Sequence, residues 1–372
     1  MIGLPERASP RYRREMLVPS ATLGEACDSW ALEPAELDAL ATGVSGRTLF
    51  SALQRPWRWH AGRPALGARA ARAVAERGAA LPSIATRRRS SDGAEKLVLV
   101  MPQGGDGVEA VHMPRPVGQG RVTLCVSSQV GCALGCAFCA TAALGLGRHL
   151  SAGEIIAQVL LVLHELGPRH PGDLSLVFMG MGEPLHNFEN VVRAVRVLTT
   201  AGGLGLSPRR ITLSTAGLVP AIAALARVPA RPLLAVSLNA TRNELRDALM
   251  PINRRYPLEA LIGALERYPC RPRERITIEY VLLAGVNDEP ADAARLAELC
   301  AGFPHHVNVI PFNSHPGARF QSPSEERLDA FLQALVRRRP TLVTVRRSRG
   351  GDVDGACGQL AGSRRLALAP AG

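Results

Sequence analysis

The chain has 372 residues, 47% of them hydrophobic, which is enough for one large domain with smaller attachments and a sizeable core. Its formal net charge of +12, in which Lys96 is the only lysine, favours a polyanionic partner such as nucleic acid, although a solvated arginine-rich surface also explains it. Eight cysteines are too few for a disulfide scaffold, and no stretch approaches the roughly 20 apolar residues of a membrane span, so we expect a soluble cytoplasmic protein.

Residues 1–95 predict a small helical N-terminal region with an accessory or RNA-binding role. Helix-like spacing is present at Pro34–Leu40 and at Leu66–Arg77. The segment Trp57–His60 interleaves aromatic and basic side chains, which suits stacking on RNA, although a pair of core tryptophans explains it as well. The basic run Arg87–Arg89 leads into a turn and is a candidate phosphate contact or a solvated loop.

Residues 96–315 predict the core, which begins with a hairpin of Leu97–Met101 and Val108–Met113. Strands and helices then alternate, which predicts six parallel βα units in an open or partial barrel of the α/β class. The predicted strands are Val122–Val126, Leu174–Met179, Ile211–Ser214, Leu233–Leu238, Ile276–Leu282 and Val307–Phe312. The predicted helices are Ala152–Leu166, Phe188–Thr200, Val219–Arg227, Leu258–Arg267, Glu289–Cys300 and Ser324–Arg338. Residues 316–372 hold the last of these helices, a final strand at Thr341–Val345 and a cysteine loop.

Three cysteines, Cys132, Cys136 and Cys139, have the spacing C-x3-C-x2-C. Thiolates this close repel each other unless a cation holds them, so we expect a metal. A structural zinc site takes four ligands, and the nearest candidate for a fourth is His149. An iron–sulfur cluster held by three thiolates leaves one iron open for S-adenosylmethionine (SAM), and this spacing resembles the radical-SAM signature. We therefore favour a [4Fe-4S] cluster with SAM over a zinc knuckle or buried thiols.

Glycines and short polar residues follow the predicted strands at their carboxyl ends, where parallel sheets bind ligands. Gly182 lets backbone approach a ligand closely, and Glu183 can accept from the ammonium group of SAM. Ser214 and Ser237 suit ribose or carboxylate contacts, with helix capping as the alternative, and Asn313 has a turn role as its alternative. The candidate cofactor-binding residues are Gly182, Glu183, Ser214, Ser237, Leu238, Asn239 and Asn313.

A lone cysteine, Cys357, lies in the glycine-rich segment 349–360 near the end of the chain. Small neighbours leave it accessible and mobile, which suits a nucleophile better than a core thiol. Cys27, Cys270 and Cys300 show no comparable pattern, and Cys300 lies on an apolar helical face as expected of a buried residue.

The cysteine motif, the loop Met181–Pro184 and the tail segment Ala356–Leu360 occur together. With these motifs the chain resembles the radical-SAM adenosine C2 RNA methyltransferases, which act on large-subunit ribosomal RNA and transfer RNA. A related branch methylates adenine C8. The resemblance extends from about Ser90 to Leu360, whereas the first 80 residues match weakly. It implies a radical-SAM barrel as the core.

The resemblance also implies a mechanism with two SAM molecules per turnover. Cys357 takes a methyl group from one SAM, and a 5′-deoxyadenosyl radical from the second removes a hydrogen from that methyl group. The carbon radical adds to the adenine ring, Cys125 releases the product by forming a disulfide with Cys357, and Glu109 accepts a proton. The implied partners are RNA and an electron donor such as flavodoxin or ferredoxin, with the enzyme as a monomer.

Departures from the family pattern concern the target more than the radical chemistry. Asn239 stands where the family usually has histidine, Ala216 where it has serine or glycine, and Gly351 where it has an acidic residue. The alternatives that stay open are adenosine C8 methylation, a radical-SAM enzyme with another substrate, and a cluster-containing protein that binds or senses RNA without catalysis.

Overall fold

The computed structural model describes residues 29–40, 43–56, 64–76, 80–102, 107–114, 121–166, 173–315, 317–338 and 342–360. Its first helices are α1 (Pro34–Asp38), α2 (Gly46–Leu53) and α3 (Ala68–Glu76). Helices were expected at the positions of α1 and α3, whereas α2 was not predicted. The predicted RNA-contacting segment Trp57–His60 lies outside the described residues.

A single ten-stranded sheet forms the centre of the fold, with the strand order β1-β2-β3-β4-β7-β8-β9-β10-β11-β12. From β4 onward, neighbouring strands are parallel and follow each other in chain order. The strands are β1 (Ser83–Arg89), β2 (Glu95–Val100), β3 (Val108–Pro114), β4 (Val122–Cys125), β7 (Leu174–Phe178), β8 (Ile211–Thr215), β9 (Leu233–Ser237), β10 (Ile276–Leu282), β11 (His305–Pro311) and β12 (Val343–Val345).

Helices connect the parallel strands, as a parallel sheet requires. Every predicted helix of this region is present, and α7 is an addition that the sequence did not indicate. The helices are α4 (Ala152–Leu166), α5 (Phe188–Thr199), α6 (Val219–Leu225), α7 (Asn243–Leu249), α8 (Leu258–Glu266), α9 (Pro290–Leu299) and α10 (Glu325–Arg338). The α/β partial barrel predicted from the alternation is thereby confirmed.

The antiparallel part of the sheet begins earlier than expected. β1 was not predicted, yet it pairs with β2 from Ser83 opposite Val100 to Arg89 opposite Glu95. The expected boundary between residues 95 and 96 therefore falls inside β2, and residues 1–95 are not wholly helical. β1 escapes a pattern search because it is an edge strand with most of its side chains exposed, so its apolar residues do not alternate.

A small second sheet encloses the cysteine motif. β5 (Gln129–Gly131) pairs with β6 (Leu146–His149), and all three motif cysteines lie between these strands. Gly131 has a φ of +73°, and a Cβ there would lie 1.9 Å from the carbonyl oxygen of Gly145. Only glycine permits this approach, so the pairing depends on it.

Burial explains the unusual apolarity of α4. Every residue from Ala152 to Leu163 is buried, including Glu154 and Gln158. Glu154 is paired with Arg148, and Gln158 hydrogen-bonds the backbone of Ser127 through both ends of its amide. None of the helices in the described part of the chain has both the length and the apolarity to cross a bilayer.

The buried side chain of Asn287 joins the ends of β9 and β10, and its contribution to stability can be tested. It is completely buried, and its amide donates to the carbonyls of Asn239 and Val281 and accepts from Leu283 N. We expect Asn287→Ala to lower the free energy of unfolding by about 3 kcal/mol, because buried backbone groups lose their partners. Chemical denaturation measures this change. The exposed Gln333→Ala in α10 is the control and should stay within about 0.5 kcal/mol of wild type.

Candidate functional site

An open cavity of about 940 Å³ lies at the carboxyl ends of the parallel strands. Its walls come from the cysteine motif, from the ends of β7 to β11 and from the tail of the chain. Ligands bind at this edge in parallel sheets because the loops that follow the strands converge there.

Cys132, Cys136 and Cys139 all line this cavity and are free thiols. Burial raises the pKa of Cys132 to about 12. Burial also raises the pKa of Cys136 well above its usual value, with additional effects from Cys139 and Cys132. Within the described residues, no three potential ligands converge on one metal ion. Thiolates of a cluster each bind a different iron and need not converge in that way, so this geometry is compatible with a cluster.

The loop after β7 packs closely against the segment between β4 and β5, which precedes the cysteine motif. A Cβ on Gly180 would lie 2.6 Å from the carbonyl oxygen of Val126, and one on Gly182 would lie 2.6 Å from the Gln129 side chain. Glu183 is 4% exposed and accepts hydrogen bonds from the backbone amides of Leu185 and Ala216. Burial raises its pKa to about 7, so an adjacent cation would strongly favour its ionised form.

The polar residues after β8 and β9 lie partly where they were expected. Ser214, Ser237 and Asn239 line the cavity. Asn239 has a φ of +58°, its amide oxygen accepts from Val281 N, and its amide nitrogen lies 3.3 Å from Met250 Sδ. Leu238 is buried in the core and is not part of the cavity wall.

Cys357, from the tail of the chain, lines the same cavity as the three motif cysteines. Asn313 was expected to contact the cofactor, but it is not part of the cavity wall. Its amide nitrogen donates to Cys357 O at 3.1 Å and to Ser348 Oγ at 2.9 Å. Asn313 therefore holds the tail loop in place.

Cys125 and Glu109 lie behind the cavity wall. Cys125 is 7% exposed, and its pKa is raised to about 12 by burial and additionally by the nearby Cys357. The two thiols are thus close enough to interact, and both are free. The expected disulfide between them is absent from this structure. Glu109 is 2% exposed and pairs with Lys96 at 3.1 Å.

Comparison with known proteins supports this arrangement. Residues 126–297 match the model of the radical SAM superfamily. The dual-specificity RNA methyltransferase RlmN of Syntrophobacter fumaroxidans is 52% identical over 279 residues, which cover 75% of this chain and 79% of that protein. The RlmN of Geobacter sulfurreducens is 48% identical over 283 residues, covering 76% and 75%. The chain belongs to this RlmN family of radical-SAM enzymes.

A solved structure agrees with the family assignment. The crystal structure of a radical SAM methyltransferase from Sphaerobacter thermophilus superposes with a TM-score of 0.81 and 41% sequence identity, covering 89% of this chain and 98% of that one. Membership of the radical-SAM family implies a [4Fe-4S] cluster and SAM as cofactors. The three soft thiol ligands, with the buried carboxylate of Glu183 beside them, fit these two groups.

Two charged residues of the cavity wall were missed in the sequence. Arg346 follows β12, and its pKa is raised chiefly by the nearby Cys357, with smaller effects from Glu279 and Cys125. Glu279 on β10 is 5% exposed, accepts from Asn308 Nδ2 at 2.9 Å, and has its pKa raised by burial. Neither belongs to a motif, so only their position at strand ends could have indicated them.

A third missed residue is Arg246, which is fully buried on α7. It donates to the carbonyls of Ala216 at 2.7 Å and Leu238 at 3.0 Å, and so ties together the loops after β8 and β9. Burial lowers its pKa to about 10, while the neighbouring Cys136 opposes that shift. Its charge therefore lies close to Cys136 of the cysteine motif.

His149 gives the stability of the site a pH dependence. Burial and the neighbouring His186 lower the pKa of His149 to about 4, against a reference of 6.5. As the pH falls from about 6.5 to about 4, the unfolded chain takes up a proton that the folded protein does not, so stability falls. We expect wild type to lose stability relative to His149→Gln over this range, as measured by denaturation at each pH. A difference that is constant with pH would contradict the shifted pKa.

Proposed function

We propose that this protein methylates an adenosine of RNA at ring carbon C2, and that the new carbon is carried on Cys357. The observation that carries the proposal is that Cys357, from the tail of the chain, lines the cavity of Cys132, Cys136 and Cys139. Enzymes that only abstract hydrogen need no such thiol beside the cluster. The RNA methyltransferases among the relatives and the net charge of +12 support RNA as the substrate.

The proposal assigns roles to the motif cysteines and to Glu183. Cys132, Cys136 and Cys139 bind the cluster, and Glu183 accepts from the ammonium group of SAM. When bound, the two cofactors supply the methyl group and a carbon radical that can attack an electron-poor ring carbon.

Arg346 lies close to Cys357 and places a positive charge beside the thiol that is to react. Cys125 lies behind the cavity wall, beside Cys357. Its sulfur bonds to the Cys357 sulfur as the bond from that sulfur to the RNA-bound carbon breaks. The electron pair of the broken bond stays on that carbon, which takes up the Cys125 thiol proton to complete the methyl group. The resulting disulfide is then reduced by an external thiol, which returns both cysteines to their free state.

The cluster assignment has a direct test in the iron content of single variants. We expect Cys136→Ala to reduce bound iron and sulfide to background after anaerobic reconstitution, because one of only three thiolate ligands is lost. Cys300→Ala is the control, since Cys300 is also a free thiol but is buried in the core and is not part of the cavity wall. Full iron content in Cys136→Ala would exclude that thiol as a ligand.

The role of Cys125 is tested by the fate of the RNA. We expect Cys125→Ala, after anaerobic turnover with RNA and SAM, to accumulate a covalent adduct between Cys357 and RNA, because no second thiol can release the product. Mass spectrometry detects the adduct, and nuclease digestion then distinguishes C2 from C8 attachment. Cys270→Ala should turn over normally. Multiple turnover by Cys125→Ala without an adduct would refute the proposed release step.

A further inference from the structure

The only lysine of the chain joins two parts of the site. Lys96 lies on β2, is 7% exposed, and has its Nζ 3.1 Å from Glu109 Oε1. The same Nζ donates to the carbonyl oxygen of Asp354 at 3.0 Å. Asp354 belongs to the tail loop that carries Cys357. One ammonium group therefore links a buried carboxylate to the backbone of the tail loop.

Strand register places this ion pair on the side of the sheet that faces the site. Lys96 and Cys125 both lie opposite Val111 of β3. Alternate residues of a strand point to the same face, so Glu109 shares the face of Val111. Lys96, Glu109 and Cys125 consequently project from one face, and Cys125 interacts there with Cys357.

The choice of lysine is informative in this chain. The chain has 44 lysines and arginines, and all of them except Lys96 are arginine. Arginine is therefore the usual basic residue of this chain at positions where lysine or arginine would be equally suitable. Arginine presents a planar fork of donors, whereas the lysine ammonium is a compact charge that can contact differently placed acceptors. Lys96 contacts a carboxylate and a backbone carbonyl within a buried space, which a guanidinium would fill differently.

Stability does not account for the buried pair. Removing two charges from water costs free energy that their attraction only partly offsets, and apolar residues of similar volume are often at least as stable. A role in chemistry does account for it, because an adjacent ammonium favours the ionised carboxylate, which is the form that accepts a proton.

We propose that Lys96 is a positioning residue of the reaction, which keeps Glu109 ionised and holds it in register with the Cys357 loop through Asp354. The inference rests on the proposed function and adds to it that the C2–H proton of adenine passes to Glu109. The electron pair of that bond stays with the ring, and the unpaired electron left by radical addition passes to a one-electron acceptor of the iron–sulfur class. Lys96 itself contacts no reacting atom.

The test uses Lys96→Met, which removes the charge and keeps the length of the side chain. Under anaerobic turnover with RNA and SAM, we expect Cys357 methylation and 5′-deoxyadenosine formation to continue, since neither needs a proton acceptor. Methyladenosine formation should fall about tenfold or more. The acidic limb of the pH–rate profile should move to higher pH, because Glu109 has lost its cation. Arg88 lies opposite Lys96 on β1, and its contact with the Asp354 carboxylate at 3.6 Å remains in this variant.

Two further variants separate catalysis from structure. If Lys96 acts through Glu109, the double variant K96M/E109Q loses no more activity than Glu109→Gln alone. The double variant lacks both buried charges, so it tests the proposal even if Lys96→Met folds poorly. Arg231→Met is the matched control, because it breaks the buried Arg231–Glu274 pair outside the cavity wall and should leave the acidic limb in place.

The outcomes are distinct. An unchanged acidic limb in Lys96→Met, or additive losses in the double variant, overturns the role of Lys96. Wild-type protein that methylates neither Cys357 nor RNA contradicts the proposed function itself, and the inference about Lys96 falls with it.

Discussion

The contact between the cysteine loop and the tail of the chain is the interaction on which the site depends. Ala140 N, directly after the third motif cysteine, donates to Gly358 O at 2.8 Å, and Thr141 Oγ1 donates to Leu360 O at 2.6 Å. These bonds place Cys357 in the cavity of the motif cysteines. A thiol on an untethered tail would meet the cofactors only transiently, whereas a tethered one reacts as a neighbour.

The tail is also anchored from the antiparallel side of the sheet. Ser90 Oγ donates to Asp352 Oδ1 at 2.5 Å, and Gly350 N donates to Asp92 Oδ2 at 2.9 Å, so the turn between β1 and β2 holds the start of the loop. Ser90 is buried, and Leu360 at the other end of the loop belongs to the core. The loop is therefore held at both of its ends.

Local patterns of apolar residues in the sequence predicted much of the fold. α4 and β10 have the bounds that the sequence predicted, since apolar periodicity reports burial directly. β1 and α7 were missed because an exposed edge strand and a short polar helix obtain their stability from neighbours, not from their own pattern. Asn313 was assigned to the cofactor, but its hydrogen bonds run to the tail loop.

The sequence alone determined the chemistry of the thiols, because the spacing of Cys132, Cys136 and Cys139 is a local property that needs no fold to be recognised. It also predicted the alternation of parallel strands and helices in the core. Only the tertiary structure decided which distant residues share the site. Arg346, Glu279 and Lys96 carry no motif, and their contacts arise from strand register and from the tail folding back over the sheet. Interactions between residues far apart in the chain depend on closing those long loops, and no local pattern encodes that closure.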